Sequence, residues 1–305
     1  MNNIHKTAII EDGAILGDNI TIGAFTIIGK DVKIGDGTII DSHTIIDGKT
    51  TIGKNNHIFS HASIGTIPQD LKFNGEDVEL IIGDNNKIRE YTLFNPGTIG
   101  GGSVTRIGSN NLFMGYVHVA HDCIIGDNCI FANGATLAGH VECDDFVVVG
   151  GLTPIHQFCK IGTQVMIGGA SAVAQDIPPF CLAEGNKAVL RGLNLTGLRR
   201  RFENREDIDA IKHAYRELFE SGKPLQDVAR ELYENDESWE KKQISTVQTE
   251  TESKKTLSPI TNLKQKLSTS SPEKKSTVLR VEQSGIVMMS GEKKPLSFEI
   301  RGERE

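Results

Sequence analysis

Ile10-Glu-Asp-Gly-Ala-Ile-Leu16-Gly-Asp-Asn-Ile-Thr-Ile22-Gly-Ala-Phe-Thr-Ile-Ile28-Gly-Lys-Asp-Val-Lys-Ile34 carries a large apolar residue at every sixth position, and the step continues without a miss to Ile64. It resumes at Ile82, Ile88 and Phe94, then runs from Ile107 through Phe113, Val119, Ile125, Phe131, Leu137, Cys143, Val149, Ile155, Ile161, Ile167 and Val173. Gly often follows a rung, and the residue four beyond is usually small or β-branched, as at Ala14, Thr26, Val32, Thr38 and Ala62. A period of six fits neither a helix nor a plain alternating strand. The unit is one short strand plus one corner, and three units close a triangular coil of eighteen residues. Stacked coils pair as parallel strands, with the rung and the residue two before it turned inward. The ladder predicts an all-β parallel β-helix prism over residues 1–186, and the period alone does not fix its hand.

At 305 residues the chain has room for one large domain and an appendage. A net charge of −7 disfavours nucleic acid as the main partner. No apolar run approaches the ~18 residues of a membrane span. Met1–Glu11 lacks a basic segment leading into an apolar one. A cytoplasmic protein without a transmembrane segment is therefore expected. Cys123, Cys129, Cys143, Cys159 and Cys181 form no CxxC pair. Three of them fall on inward positions, so buried structural thiols in a reducing compartment are expected.

The ladder breaks twice, giving expected loops at 65–81 and 95–106. The first contains Gln69-Asp70-Leu71-Lys72, with Pro68 and Gly75 favouring a loop over a degenerate coil. The second contains Gly100-Gly101-Gly102 and looks like a coil with one rung missing near residue 100 or 101. A glycine run of that kind reads as a simple bulge. Beyond about Gly185 the period changes. A short helix over Leu193–Phe202 with Arg199-Arg200-Arg201, a stripe at Ile208, Ile211, Tyr215, Leu218 and Phe219, and another from Leu225 to Tyr233 predict a helical C-terminal domain at 187–243. Residues 244–305, rich in Ser, Thr, Lys and Glu, read as a disordered tail.

Rungs 119, 137 and 155 lie eighteen apart and so stack on one face. His121, His140 and His156 follow them at one corner in successive coils, with His118 pointing outward beside them. Imidazole exchanges protons near pH ~6.5, which suits a general base, and Asp122 is placed to orient His121. The rival reading is a zinc site like that of the γ-class carbonic anhydrases, since three imidazoles and water make a hydrolytic centre. An inert scaffold leaves the clustering unexplained.

His118-Val-Ala-His121-Asp122-Cys123, Asn133-Gly-Ala-Thr-Leu-Ala-Gly139-His140, Gly150-Gly-Leu-Thr-Pro-Ile-His156-Gln157-Phe158 and Asn194-Leu-Thr-Gly197-Leu-Arg-Arg-Arg201 resemble the UDP-N-acetylglucosamine acyltransferases of lipid A biosynthesis. So do the Gln69–Lys72 and Gly100–Gly102 blocks, and the resemblance covers roughly residues 1–235. It implies a left-handed prism, a homotrimer with clefts between subunits, and direct transfer of a 3-hydroxyacyl chain from acyl carrier protein to C3 of a UDP-sugar, without a cofactor or metal. By the same resemblance His121 is the general base, Asp122 tunes it, and the Gly139 N–H stabilises the oxyanion. Gln69, Asp70, Lys72, His118 and His140 would place the sugar and acyl groups; His156, Gln157, Asn194, Arg200 and Arg201 would hold the nucleotide end. Gly169 matches an acyl-length ruler. Two positions depart from the family: Asn95-Pro96-Gly97 stands where many members have His-Arg-Gly, and Thr196 where some have Glu.

Overall fold

The computed structural model describes residues 1–224, residues 227 and 228, and three strands between 276 and 301. The ladder forms three parallel sheets, one per face of a left-handed prism. Face 1 carries rungs Ile22, Ile40, Ile58, Ile88, Phe113, Phe131, Val149 and Ile167; face 2 carries Ile10, Ile28, Ile46, Ile64, Phe94, Val119, Leu137 and Ile155; face 3 carries Leu16, Ile34, Ile52, Ile82, Ile107, Ile125, Cys143 and Ile161. Most strands are two residues long, and register follows the coil: Ile10 opposes Ile28, and Val119 opposes Leu137. From Ile22 onward these rungs are almost fully buried, each stacked on the one below. Phe113 and Phe131 lie parallel with ring centroids 5.0 Å apart. Burial of each such side chain is worth about 1.5–3 kcal/mol, so the core is a column rather than a globule. All five cysteines are free and buried, Cys123, Cys129 and Cys143 on the inward positions their phase gives them.

The corners decide where side chains point. The residue three after a rung adopts a left-handed backbone in coil after coil, as at Asp122 (φ 61), His140 (φ 64) and Phe158 (φ 66). Only Gly visits that region freely, so each of these side chains sits at a position the repeat geometry has imposed. They form an outward row at the corner between faces 2 and 3.

Neither insertion costs a rung. Ile64 on face 2 opposes Phe94, and Ile82 on face 3 opposes Ile107, so both loops leave face 2 and re-enter on face 3. The expected missing rung near residue 100 or 101 does not exist. Thirteen residues stand where one six-residue step belongs, and the surplus is looped out at the corner. Strands resume at Glu79 and Val104, so the loops span 65–78 and 95–103, shorter than expected.

Past the prism, Cys181–Glu184 joins face 1 and pairs antiparallel with Val189–Leu193. The expected helical domain at 187–243 therefore opens with a strand. Helix α1 (Leu195–Arg201) starts where the Asn194 side chain accepts the Gly197 N–H, and α2 (Arg205–Phe219) starts where Asn204 accepts that of Glu206. Leu198, Ile208 and Ile211 pack with Phe180 to close the end of the column. The stripe from Leu225 to Tyr233 falls almost wholly outside the described residues. The tail was expected to be disordered, yet Ser276–Glu282, Gly285–Gly291 and Glu299–Arg301 form a small sheet of their own. Val278, Leu279, Val281, Ile286 and Val287 supply the β-forming residues. Among the described residues those strands pair only with one another. Truncation after Ser245 should leave turnover within about twofold and change melting little; loss of activity or of assembly would give the tail a structural role.

Candidate active site

The corner between faces 2 and 3 gathers five features in consecutive coils. Loop 65–78 leaves Ile64, loop 95–103 leaves Phe94, His121-Asp122 follows Val119, Gly139-His140 follows Leu137, and Gln157-Phe158 follows Ile155. Periodicity predicts the last three together, with the glycine run in the coil beneath His121; the structure adds the loop at 65–78.

Asp122 is the centre. Its side chain is fully buried, and Oδ2 accepts from His121 Nδ1 at 2.8 Å and from Thr98 Oγ1 at 2.6 Å. Oδ1 accepts the Thr98 N–H at 2.9 Å, and the Asp122 N–H donates to Thr105 Oγ1 at 2.8 Å. A buried carboxylate is tolerable only with such partners. The pairing assigns the proton of His121 to Nδ1 and leaves Nε2 with its lone pair. Nε2 makes no hydrogen bond among the described residues, and the ring is 18% exposed, so it is reachable but sheltered.

Two glycines make room for this pair. Gly139 lies one coil above His121, where a Cβ would come within 2.5 Å of Cε1 and 2.8 Å of Nε2. A Cβ on Gly101 would strike the Asp122 carboxylate. The central glycine of the Gly100–Gly102 run is thus required by contact, and the reading of a simple bulge is corrected. The Gly139 N–H has no partner among the described residues, while its neighbour His140 donates to the His121 carbonyl at 3.0 Å.

His140 stands edge-on to His121 at 5.1 Å and stacks on Phe158 at 4.4 Å, with Nε2 3.9 Å from Asp122 Oδ2. Burial holds its imidazole below the ordinary value, against the pull of Asp122 and Asp70. His118 Nδ1 donates to the Leu93 carbonyl at 3.0 Å, and burial lowers it as well. Both are neutral donors or acceptors near pH 7. His156 is exposed, with Nδ1 on the carbonyl of Gln157 at 3.1 Å.

The loop bearing Gln69, Asp70 and Lys72 reaches this edge, since the Asp70 charge acts on His140. Asp70 Oδ1 accepts the Lys72 N–H at 2.9 Å, which shapes the turn, and the Gln69 and Lys72 side chains stay exposed. Asn95, one of the departures from the family pattern, is buried and clamps this loop by donating to the carbonyls of Thr66 and Ile67 at 3.0 and 3.2 Å. Thr196, the other, is exposed in the first turn of α1.

The remaining expected site residues do not join the histidines within one chain. Asn194 donates to the Gln164 carbonyl at 2.9 Å, and Gln164 sits at the corner between faces 3 and 1. Its side chain also caps α1, so most of its capacity serves the fold. Arg201 lies over the Phe146 ring at 3.4 Å from the centroid, at the same corner, and no described carboxylate pairs with it. Arg200 is exposed beside it. Gly169 is at the corner between faces 1 and 2, where a Cβ would meet only Gly151, at 3.4 Å or more. Of the residues that shape the site, Thr98 and Thr105 were not picked out from sequence, and Asn95, Gly101 and Phe158 were noted without these roles. Phase locates Thr105, two before rung Ile107, and Phe158, eighteen beyond His140, but not Thr98.

This arrangement supplies an oriented imidazole with one free nitrogen. It supplies no thiol nucleophile, because burial pushes Cys123 and Cys129 up to about 12. His121, Asp122 and His140 bring ligand atoms within 4.8 Å of one another, close enough to test for a metal. The fit is poor: Asp122 Oδ2 already accepts two hydrogen bonds, and the His121 nitrogen facing the cluster is one of the donors.

A hexapeptide prism presenting an Asp-oriented histidine at a corner defines a hexapeptide-repeat transferase. Residues 104–139 match the bacterial transferase hexapeptide family, and residues 176–258 match UDP N-acetylglucosamine O-acyltransferase, domain 2. Over 246 residues the chain is 93% identical to the acyl-[acyl-carrier-protein]--UDP-N-acetylglucosamine O-acyltransferase of Aliarcobacter butzleri, covering 81% of this chain and 95% of that one. The UDP-N-acetylglucosamine acyltransferase structure from Campylobacter jejuni matches at 51% identity and a TM-score of 0.74, covering 76% and 90%. That from Acinetobacter baumannii matches at 45% and 0.73, covering 75% and 89%. The chain belongs to the UDP-N-acetylglucosamine O-acyltransferase family, and it is an acyltransferase.

Proposed function

We propose that the protein transfers a 3-hydroxyacyl chain from acyl carrier protein to the C3 position of UDP-N-acetylglucosamine or its 3-amino analogue, the reaction that opens lipid A biosynthesis. The observation that carries the reading is His121 with Nδ1 held by buried Asp122 and Nε2 free at the site edge. Nε2 takes the proton of the sugar nucleophile as that atom attacks the thioester carbonyl. The oxyanion of the tetrahedral adduct accepts the Gly139 N–H, a contact worth ~3–4 kcal/mol. Collapse of the adduct expels the carrier thiolate, which recovers the proton from His121. His118, His140, Gln69, Asp70 and Lys72 position sugar and acyl groups.

The nucleotide residues His156 and Gln157 stand at the histidine edge, whereas Asn194, Arg200 and Arg201 stand elsewhere on the chain. Face 1 is bounded by the corner that carries Arg201 and the corner that carries Gly169. A neighbouring subunit presenting face 1 to the histidine edge would deliver both at once. We read the protein as a cytoplasmic homotrimer with three such clefts, the arginines suiting a diphosphate. No helix among the described residues is long and apolar enough to cross a membrane.

Offering both sugar nucleotides with acyl carrier proteins of several chain lengths tests the reading. Transfer to one or both acceptors is expected, and hydrolysis alone would overturn it. In the same assay Gly169→Met should shorten the preferred chain by several methylenes. Its Cβ has space and its backbone is not left-handed, and each buried CH₂ contributes ~0.8 kcal/mol. An unchanged ratio of kcat/KM between short and long donors would place the groove end elsewhere.

A further inference from the structure

The loop at 95–103 replaces one step of the ladder with thirteen residues, and its buried contact with the site runs through Thr98 and Gly101. Thr98 precedes a single 3-10 turn (Ile99–Gly101) and is itself buried. Its carbonyl accepts the N–H groups of Gly101 and Ser103 at 3.0 and 2.8 Å. Its own N–H and its hydroxyl are both aimed at Asp122, one on each carboxylate oxygen. Every polar group of the residue is therefore committed, and two of the three, the N–H and the hydroxyl, go to a carboxylate it does not neighbour in sequence.

We propose that Thr98 is a positioning residue for acyl transfer, clasping Asp122 so that Oδ2 orients His121 Nδ1–H and leaves Nε2 turned to the acceptor. The inference rests on the reading of His121 as general base. Two donors from one residue fix rotation of the carboxylate about its Cβ–Cγ bond, which a single bond to His121 does not. The hydroxyl shares Oδ2 with the imidazole and so disperses the negative charge that faces it. Without the hydroxyl, that charge concentrates toward His121 and favours the imidazolium, which cannot act as a base. The other charged or titratable groups at this edge, His140, His118 and Asp70, make no hydrogen bond to Thr98 among the described residues.

The test compares Thr98→Val, Thr98→Ser and His121→Ala on the full-length protein with acyl carrier protein donor and sugar nucleotide. Val keeps the N–H donor and the shape but loses the hydroxyl. The expected result is a fall in kcat of roughly 10–100-fold and a KM for the sugar within about twofold. The acid limb of log kcat/KM should move to higher pH, and Ser should restore both. Should the Val protein fail to fold, Thr98→Ala removes the same hydroxyl without adding a methyl and is read in the same way. A wild-type rate and acid limb in the Val variant, beside an inactive His121→Ala, would overturn the role of Thr98 alone. So would a loss that leaves the acid limb in place and is not restored by Ser, since that is a purely structural effect. Turnover in His121→Ala within tenfold of wild type would remove the base itself, and this inference with it.

Discussion

Replacing His121 by Ala is expected to lower kcat by about 10²–10⁴-fold while the assembly persists and melting shifts by no more than a few degrees. The side chain lies outside the packed column, and its one hydrogen bond is to a carboxylate that retains both Thr98 donors. Steady-state rates with gel filtration and a melting curve check it. A variant within tenfold of wild type would remove His121 from the mechanism. Dialysis of the wild type against a strong chelator completes the test, because undiminished turnover is expected and metal dependence would revive the zinc reading.

Gly139→Ala is the second large effect. Position 139 is not in the left-handed region, so alanine is compatible with the backbone. Its Cβ nevertheless falls 2.5–3.1 Å from three atoms of the His121 ring, and the ring must give way. A shift of about 1 Å in a catalytic group can cost ~10² in rate. A loss of that order in kcat is expected, with melting nearly unchanged. In a His121→Ala background the same substitution should cost far less, since no ring remains to displace. Equal losses in both backgrounds would assign the effect to the Gly139 N–H or the local backbone instead.

Much of this was legible in the sequence because the prism is quasi-one-dimensional. A side chain's place follows from its residue number modulo eighteen, so His121, Gly139, His140 and Phe158 fall on one edge by arithmetic. The same arithmetic fails inside an insertion. Thr98 and Gly101 lie past Phe94, where the phase is lost, and the glycine run looked like a missing rung although none is missing. Asn95 looked like no more than a departure from the family pattern, yet it ties down the loop bearing Asp70. Asn194 and Arg201 carried a family resemblance but no phase, since the ladder ends before α1. Their distance from the histidine edge is visible only once the coil is closed. The hairpin at Val189–Leu193 escaped because Gly192 and Arg191 blur its alternation.

The proposed sharing of each site between subunits of a trimer can be measured directly in mixed assemblies. His121→Ala and Arg201→Ala chains, each nearly inactive alone at limiting sugar nucleotide, are co-expressed with different tags, and the mixed species is isolated and assayed. If a cleft joins the histidine edge of one subunit to α1 of the next, some clefts in a mixture combine an intact His121 with an intact Arg201. Each isolated mixed trimer then holds one intact cleft of three and recovers about a third of wild-type turnover. Mixed trimers no more active than the two parents would contradict the shared cleft.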